Sequence, residues 1–409
     1  MKYRIIKECN ISGSRNLKMI LSLGLIPPVN QMSKITERPK EQFFFPTEIY
    51  YCPESKLVQL GIVVDKKILF PKEYPYTSST TKILRDNFQE LSNEVFDKFK
   101  LNSDDLIIDI GSNDGNLLSN FKKKMKVLGI TPENIGKIAI EKGIPTLLEY
   151  FTEELAKKIT ENYGKAKIIT ATNVFAHIDE VDKVLKSISS LLSDDGIFIS
   201  ESHYLLTLIE QNQYDTIYHE HLRYYSLSSL KYLFSKHNLE IIDAKKITTH
   251  GGSIRVYAAK KNKYQINDKY KELIDIENNY LFSDGLFNFK SKVVESKIKL
   301  YNLLFSLKLN KDKIYGISAP SRATTLVNYL GISADILECI LEIKGSQKIN
   351  YYLPGTDIPI YDEIKLYIDQ PDYALILSWH IGNEIIKNLR KNGFKGKFII
   401  PLPEPVIIN

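Results

Sequence analysis

The side chains best equipped for chemistry sit together in Asp215-Thr-Ile-Tyr218-His219-Glu220-His221. Three titratable groups and a phenol in four adjacent positions are unusual in a segment that lacks helical amphipathicity. Three readings compete. A polar surface turn would need no function. His-x-His can bind zinc, but no third ligand lies at a useful spacing and glutamate is a hard partner. A general-base cluster would hold one imidazole in a single tautomer through a neighbouring carboxylate, with a phenol placed to donate a hydrogen bond. His177, in Asn173-Val-Phe-Ala-His177, is expected to point into the same crevice.

Such a crevice needs a sheet to shape it. Leu106-Ile-Ile-Asp-Ile-Gly-Ser-Asn-Asp-Gly115 predicts a buried parallel strand and a tight turn into a helix starting near Asn116. Two glycines there let the backbone pass close to a ligand, and the helix start offers unpaired N–H groups. Further strands are predicted over 126–130, 145–148, 167–171 and 196–201, with helices over 116–124, 133–142, 152–163 and 181–192. Segments 239–246 and 254–259 are expected to close the sheet as an antiparallel pair. The fold class is α/β, a doubly wound domain whose ligands sit at the carboxyl ends of the strands. That gathers Asp109 to Gly115, Thr131, Thr172-Asn173 and Glu201 around one crevice. The strand, Asp-x-Gly-x-x-x-Gly and helix resemble the first motif of S-adenosylmethionine (SAM) dependent methyltransferases, not the dinucleotide fingerprint. The resemblance implies that Asp109, Gly111, Ser112, Asn113 and Gly115 cradle the amino-acid end of SAM, with Thr131 and Asn173 beside it.

At 409 residues the chain exceeds one core. Residues 1–75 read as short strands and turns punctuated by proline, residues 76–262 as the cofactor domain, and residues 263–310 as a charged helical connector with a solvated face. Residues 311–409 repeat the α/β rhythm as a second, smaller Rossmann-like domain. Its first turn, Ala319-Pro-Ser321-Arg322, puts a guanidinium at a helix N-terminus, which suits a phosphate. A net charge of +6 with dispersed lysines argues against a nucleic-acid partner. No apolar run is long enough for a membrane span, and the charged first residues, with no long apolar run, are not expected to form a signal peptide. The scattered Cys9, Cys52 and Cys339 argue against a disulfide framework, so a cytoplasmic monomer is expected.

The longer motifs are more specific. Gly24-Leu-Ile-Pro-Pro, Tyr74-Pro-Tyr76-Thr-Ser-Ser, Asn173-Val-Phe-Ala-His177, Tyr218-His-Glu-His221, His250-Gly-Gly-Ser-Ile-Arg255, Ala319-Pro and Tyr352-Leu-Pro-Gly-Thr follow in order along the chain. Together they resemble the C-methyltransferases of nucleotide-linked keto-deoxysugars, which join an N-terminal zinc module, a SAM domain and a C-terminal nucleotide-fold-like domain. The resemblance implies that His221 removes a proton beside a ketone and that the enolate carbon then takes the methyl group. It gives Glu220 an orienting role, Tyr218 and Tyr76 places near the enolate oxygen, and His177 a further polar one. Tyr74, Arg255, Ser321 and Arg322 would contact the nucleotide-sugar. Two departures stand out. Serine occupies half of each Cys-x-x-Cys pair, at Ser12 and Ser55, so zinc is not expected. Thr131 stands where an acid usually meets the cofactor ribose; Glu133 could reach instead, or one weaker hydrogen bond could serve. An O- or N-methyltransferase of the same layout, and a sugar-binding homologue without catalysis, are the competing readings.

Overall fold

The computed structural model describes residues 2–37, 41–69 and 82–409. Tyr74 and Tyr76 lie outside them. At its centre is a seven-stranded sheet. Its spatial order is Leu239–Ile247, Ser253–Lys260, Leu192–His203, Ala166–Thr172, Leu106–Ile110, Lys126–Ile130 and Thr146–Leu147. Only Ser253–Lys260 runs against its neighbours. All five positions of Leu106–Ile110 are buried, which is why that segment reads as an unbroken apolar run: a central parallel strand is covered on both faces. The doubly wound α/β expectation holds.

Local boundaries differ where side chains intercept the backbone. The helix expected over 116–124 stops at Ser119, and the Asn120 amide donates to the carbonyls of Asn116 and Leu117 at 3.1 and 3.3 Å. The helix expected from Glu133 begins at Gly136. The connector is a long helical run, Asp268–Ile276 continuing through a π-helical stretch, Glu277–Gly285, into Leu286–Leu309. Its charges do not all face solvent. Glu277 is fully buried and accepts from the Tyr204 hydroxyl (2.8 Å), the Ser228 hydroxyl (2.5 Å) and the Leu227 and Ser228 amides (2.5 and 2.9 Å). It thereby ties the connector to the start of helix Leu227–Ser235.

The flanking modules clasp the central domain. Lys18–Ile26, Phe45–Cys52 and Leu57–Leu60 form an antiparallel sheet, and its fourth strand, Arg223–Tyr224, comes from the segment that follows His221. The C-terminal sheet has six strands, ordered Ile360–Asp362, Cys339–Glu342, Ile314–Ile317, Tyr373–Ile376, Lys397–Ile400 and Val406–Ile408, the last antiparallel. Ile360–Asp362 and Val406–Ile408 are too short to announce themselves by periodicity. Tyr351–Tyr352 also pairs with Ser33–Lys34, joining the N- and C-terminal modules directly.

Candidate active site

The turn after Leu106–Ile110 is built by its glycines. Gly111 has φ +78°, and a Cβ there would lie 2.2 Å from Val174 Cγ2. The amides of Gly111 and Ser112 both donate to the Ile130 carbonyl, at 2.8 and 3.1 Å, which pins the turn to the next strand. Asn113 and Asn173 also take left-handed φ, 50° and 57°, and the Asn173 amide donates to the Glu201 carbonyl at 2.8 Å. Asp109 is buried and accepts from the Thr170 hydroxyl at 2.7 Å. Burial pushes its carboxyl up to about 7; the Thr170 bond opposes this and the Glu201 charge adds to it. The Thr131 hydroxyl donates to Glu133 at 2.5 Å, which holds that carboxylate beside the end of strand Lys126–Ile130. Ser112 behaves differently from the expectation of a cofactor contact. Its hydroxyl is turned beneath the turn, 2.6 Å from where a Cβ on Gly129 would sit, and has no hydrogen-bond partner among the described residues.

The donor set fits SAM. Two acids, Asp109 on its strand and Glu133 just beyond the neighbouring one, suit an ammonium and a ribose diol. Arg255 does not join them. Its guanidinium is fully buried and donates to Glu201 (2.6 Å), Glu94 (2.9 Å) and the Asn87 side chain (2.8 Å). Its place is a buried ionic brace between helix Lys82–Lys98 and the closing strands, in contrast to the expected substrate contact.

The second set of groups lies in the segment from Tyr214 to Tyr224, which has little regular structure of its own and is held from three sides. The Leu222 amide donates to the Ala176 carbonyl at 2.9 Å, the Leu60 amide donates to the Leu222 carbonyl at 3.0 Å, and the Arg223 guanidinium donates to the carbonyls of Ile178 and Asp179. These anchors part the two histidines. His219 packs into the N-terminal module, with Nε2 3.0 Å from the Thr47 hydroxyl and its ring edge-on to Phe45. His221 is held differently. Its Nδ1 lies 2.9 Å from the Thr216 carbonyl; a carbonyl can only accept, so Nδ1 carries the proton and Nε2 keeps its lone pair. The carboxylate expected to set this tautomer is elsewhere: Glu220 accepts from the Asn30 amide at 2.7 Å.

Tyr218 lies over the His221 ring with centroids 4.1 Å apart, and His177 meets it edge-on at 5.1 Å. Burial, with His177 next in importance, holds His221 well below its ordinary value; burial likewise lowers His177 to about 4, with a hydrogen bond to the Glu220 backbone opposing. Both rings are neutral at neutral pH. Neither Asn30 nor the Thr216 carbonyl could be singled out beforehand. A lone asparagine after Pro27-Pro28 carries no signal by itself, and a backbone carbonyl carries no sequence identity.

The turn opening the C-terminal domain holds a surprise. Ser321 is 3.4 Å from Asn30 Oδ1, which links it through Asn30 to Glu220. Arg322 is nearly buried: Nη1 donates to His380 Nδ1 (2.9 Å), Nε faces Asp215 (3.5 Å), and the guanidinium lies over Trp379, 5.3 Å from the ring centre. Trp379 in turn donates to Asp215 at 2.8 Å. The expected phosphate cation is thus engaged in a joint between the C-terminal domain and the segment leading to His221.

Comparison with known proteins agrees with this layout. A zinc binding domain model matches residues 9–70, a methyltransferase domain model residues 76–244, and a C-methyltransferase C-terminal domain model residues 248–403. The turn, the crevice and these matches define a SAM-dependent methyltransferase on the three-part plan of the C-methyltransferases. The C-methyltransferase NovU of Streptomyces niveus is 29% identical over 414 residues, covering 99% of this chain and 98% of NovU. Among solved structures, the PH0226 protein of Pyrococcus horikoshii OT3 aligns with 48% of this chain and 99% of its own, at 14% identity and TM-score 0.37. Magnesium protoporphyrin IX methyltransferase of Synechocystis PCC 6803, solved with SAM, aligns with 43% of this chain and 79% of its own, at 14% identity and TM-score 0.34. No helix among the described residues is long and apolar enough to cross a membrane.

Proposed function

We propose that this methyltransferase acts on a nucleotide-linked keto-deoxysugar and methylates the carbon beside the ketone. The observation that carries the reading is the His221 tautomer, because a buried, neutral imidazole that keeps its Nε2 lone pair is ready to accept a proton. In this reading Nε2 takes the proton, the C–H electrons move into the carbonyl, and Tyr218 donates a hydrogen bond to the resulting oxyanion. Tyr76 has the same proposed role from outside the described residues, and Tyr74 is proposed to flank the sugar. His177 packs against His221 and limits its freedom to turn.

SAM supplies an electrophilic methyl group, for which the enolate carbon is the nucleophile. Asp109 would receive its ammonium, Glu133 braced by Thr131 its ribose hydroxyls, and the backbone from Gly111 to Gly115 its amino-acid end, with Asn113 and Asn173 lining the approach. Ser112 supports the turn from below. At the nucleotide end, Ser321 and Lys348 are proposed to meet the phosphates. Lys348 donates to the Ala319 carbonyl at 2.6 Å, and its partly buried charge is faced by Glu342 and Glu220.

Substrate incubated in deuterated water with demethylated cofactor should exchange the hydrogen at the reacting carbon. His221→Asn keeps the shape but cannot accept a proton at this pH, so exchange and methylation should both disappear while the substrate still binds. Tyr218→Phe should slow the reaction by about a hundredfold without ending it. Methylation by the wild type with no exchange would instead favour transfer to a heteroatom.

A further inference from the structure

The N-terminal module contains two copies of one turn. Cys9-Asn-Ile-Ser12 is followed by Gly13 at φ +76°, and Cys52-Pro-Glu-Ser55 is followed by Lys56 at φ +58°. Each therefore runs Cys-x-x-Ser into a left-handed residue, a conformation that disfavours a side-chain-bearing residue such as lysine. The two turns face each other. Cys9 Sγ lies 3.1 Å from Ser55 Oγ, and Ser12 Oγ lies 3.5 Å from Cys52 Sγ. Cys9, Cys52 and Ser55 are buried. Burial raises the Cys52 thiol, but hydrogen bonds from Ser55, Ser12 and Cys9 more than offset it, and the thiol lies below its ordinary value. Four side chains from two matched turns converge on one point, as the ligands of a tetrahedral metal would.

The donors do not fit zinc. Structural sites use thiolates and imidazoles, and a serine hydroxyl stays protonated at neutral pH and binds the metal weakly. Among the described residues, no group of three or more His, Cys, Asp and Glu side chains is arranged to hold a metal. We infer that Cys9, Ser12, Cys52 and Ser55 keep the backbone of a four-ligand zinc knuckle pair but cross-link it by thiol–hydroxyl hydrogen bonds. The zinc binding domain of this chain accordingly folds without metal. This bears on the active site, because the hairpin that starts at Cys52 leads into Leu57–Leu60, the strand whose Leu60 amide holds Leu222 next to His221.

The full-length protein tests this directly. Metal analysis of the wild type should find well under one zinc per chain, and a chelator should leave its melting temperature unchanged. Ser12→Cys with Ser55→Cys should take up one equivalent of zinc. Loaded with Co(II), it should give the ligand-field and sulfur charge-transfer bands of a tetrahedral tetrathiolate, which the wild type should lack. A full equivalent of zinc in the wild type, released only on unfolding, overturns the inference. So does a folded double variant that binds no metal. Should the double variant not fold, Ser55→Ala decides: loss of the cross-link should lower the melting temperature by about 2–4 °C, and an unchanged melt would count against it.

Discussion

Two strand–turn–helix corners in this molecule share a plan and differ in how their charges are matched. The first runs from Asp109 to Gly115 and the second from Ser318 to Arg322. Each follows the central strand of a largely parallel sheet, and each begins with a left-handed residue, Gly111 at φ +78° and Ser318 at φ +68°. At the first, Asp109 accepts from a threonine hydroxyl, its carboxyl is pushed up to about 7 by burial, and no cation pairs with it among the described residues. At the second, Arg322 is already matched by Asp215, His380 and Trp379. A corner whose charged group lacks a counter-charge is prepared for a ligand; one whose charge is matched inside the protein is a joint. Sequence pattern suggests a ligand at both corners, SAM at the first and a phosphate at the second, and the partners tell them apart.

The comparison can be broken at either corner. The largest effect is expected from Gly111→Val, because the new side chain would collide with Val174 while the backbone must hold a left-handed φ. SAM affinity by calorimetry should fall by about a hundredfold or more; unchanged affinity would move the cofactor away from this turn. Arg322→Ala should act on stability instead. It leaves the buried Asp215 without its cation, and removing one member of a buried pair costs about 3–5 kcal/mol. Denaturant unfolding should show that loss with little change in SAM affinity. A raised Michaelis constant for the nucleotide-sugar at unchanged stability would return Arg322 to the phosphates.

Acid should unfold this protein early, and the sign follows from the groups involved. Burial lowers His177, His219 and His250 to about 4 and His203 to about 3, and it holds His221 well below its ordinary value. Each is neutral when folded and takes a proton when unfolded below pH 6.5, so its contribution is complete above 6.5 and is lost as pH falls toward 4. One such histidine accounts for on the order of 3 kcal/mol, and several sharing a crevice for less than the sum. Asp109 works the other way, as do Glu201, Asp215 and Glu277, whose carboxyls burial also raises: a raised value favours the fold at low pH, and for Asp109 that contribution is lost as pH rises through 4 to 7. Urea midpoints measured from pH 7.5 to 4 should therefore fall, and fall more steeply in Asp109→Asn. A flat profile would mean that the histidines are solvated.

The sequence made the sheet legible because its strands are short apolar runs bounded by turn residues. The Asp109 turn and the Tyr218 to His221 cluster stood out for the same reason: residue types that are rare together carry information. What could not be read was pairing across modules. Nothing in Asn30 announces a bond to Glu220, and nothing in Arg255 distinguishes a substrate contact from a brace to Glu201 and Glu94. The tautomer of His221 depends on a backbone carbonyl five residues away, so it is fixed by chain geometry and not by residue type. Glu277 was hidden among surface charges because its burial depends on where the connector docks.

The smallest expected effects come from the serines of the two corners, and they sharpen the contrast most. The Ser112 hydroxyl is buried beneath its turn, beside Gly129, without a partner among the described residues. An unsatisfied buried hydroxyl carries a desolvation cost, so Ser112→Ala should hold or raise stability, by up to about 1 kcal/mol, while SAM affinity changes by no more than a few fold. Ser321 sits at the other corner and bridges through Asn30 to Glu220 across three modules. Ser321→Ala should cost little stability, since the 3.4 Å contact is long, yet it frees Asn30 to reorient and so should lower turnover more than it alters SAM binding. If Ser112→Ala instead weakened SAM and Ser321→Ala left turnover intact, the first serine would be a cofactor ligand and the second only a surface contact of the joint.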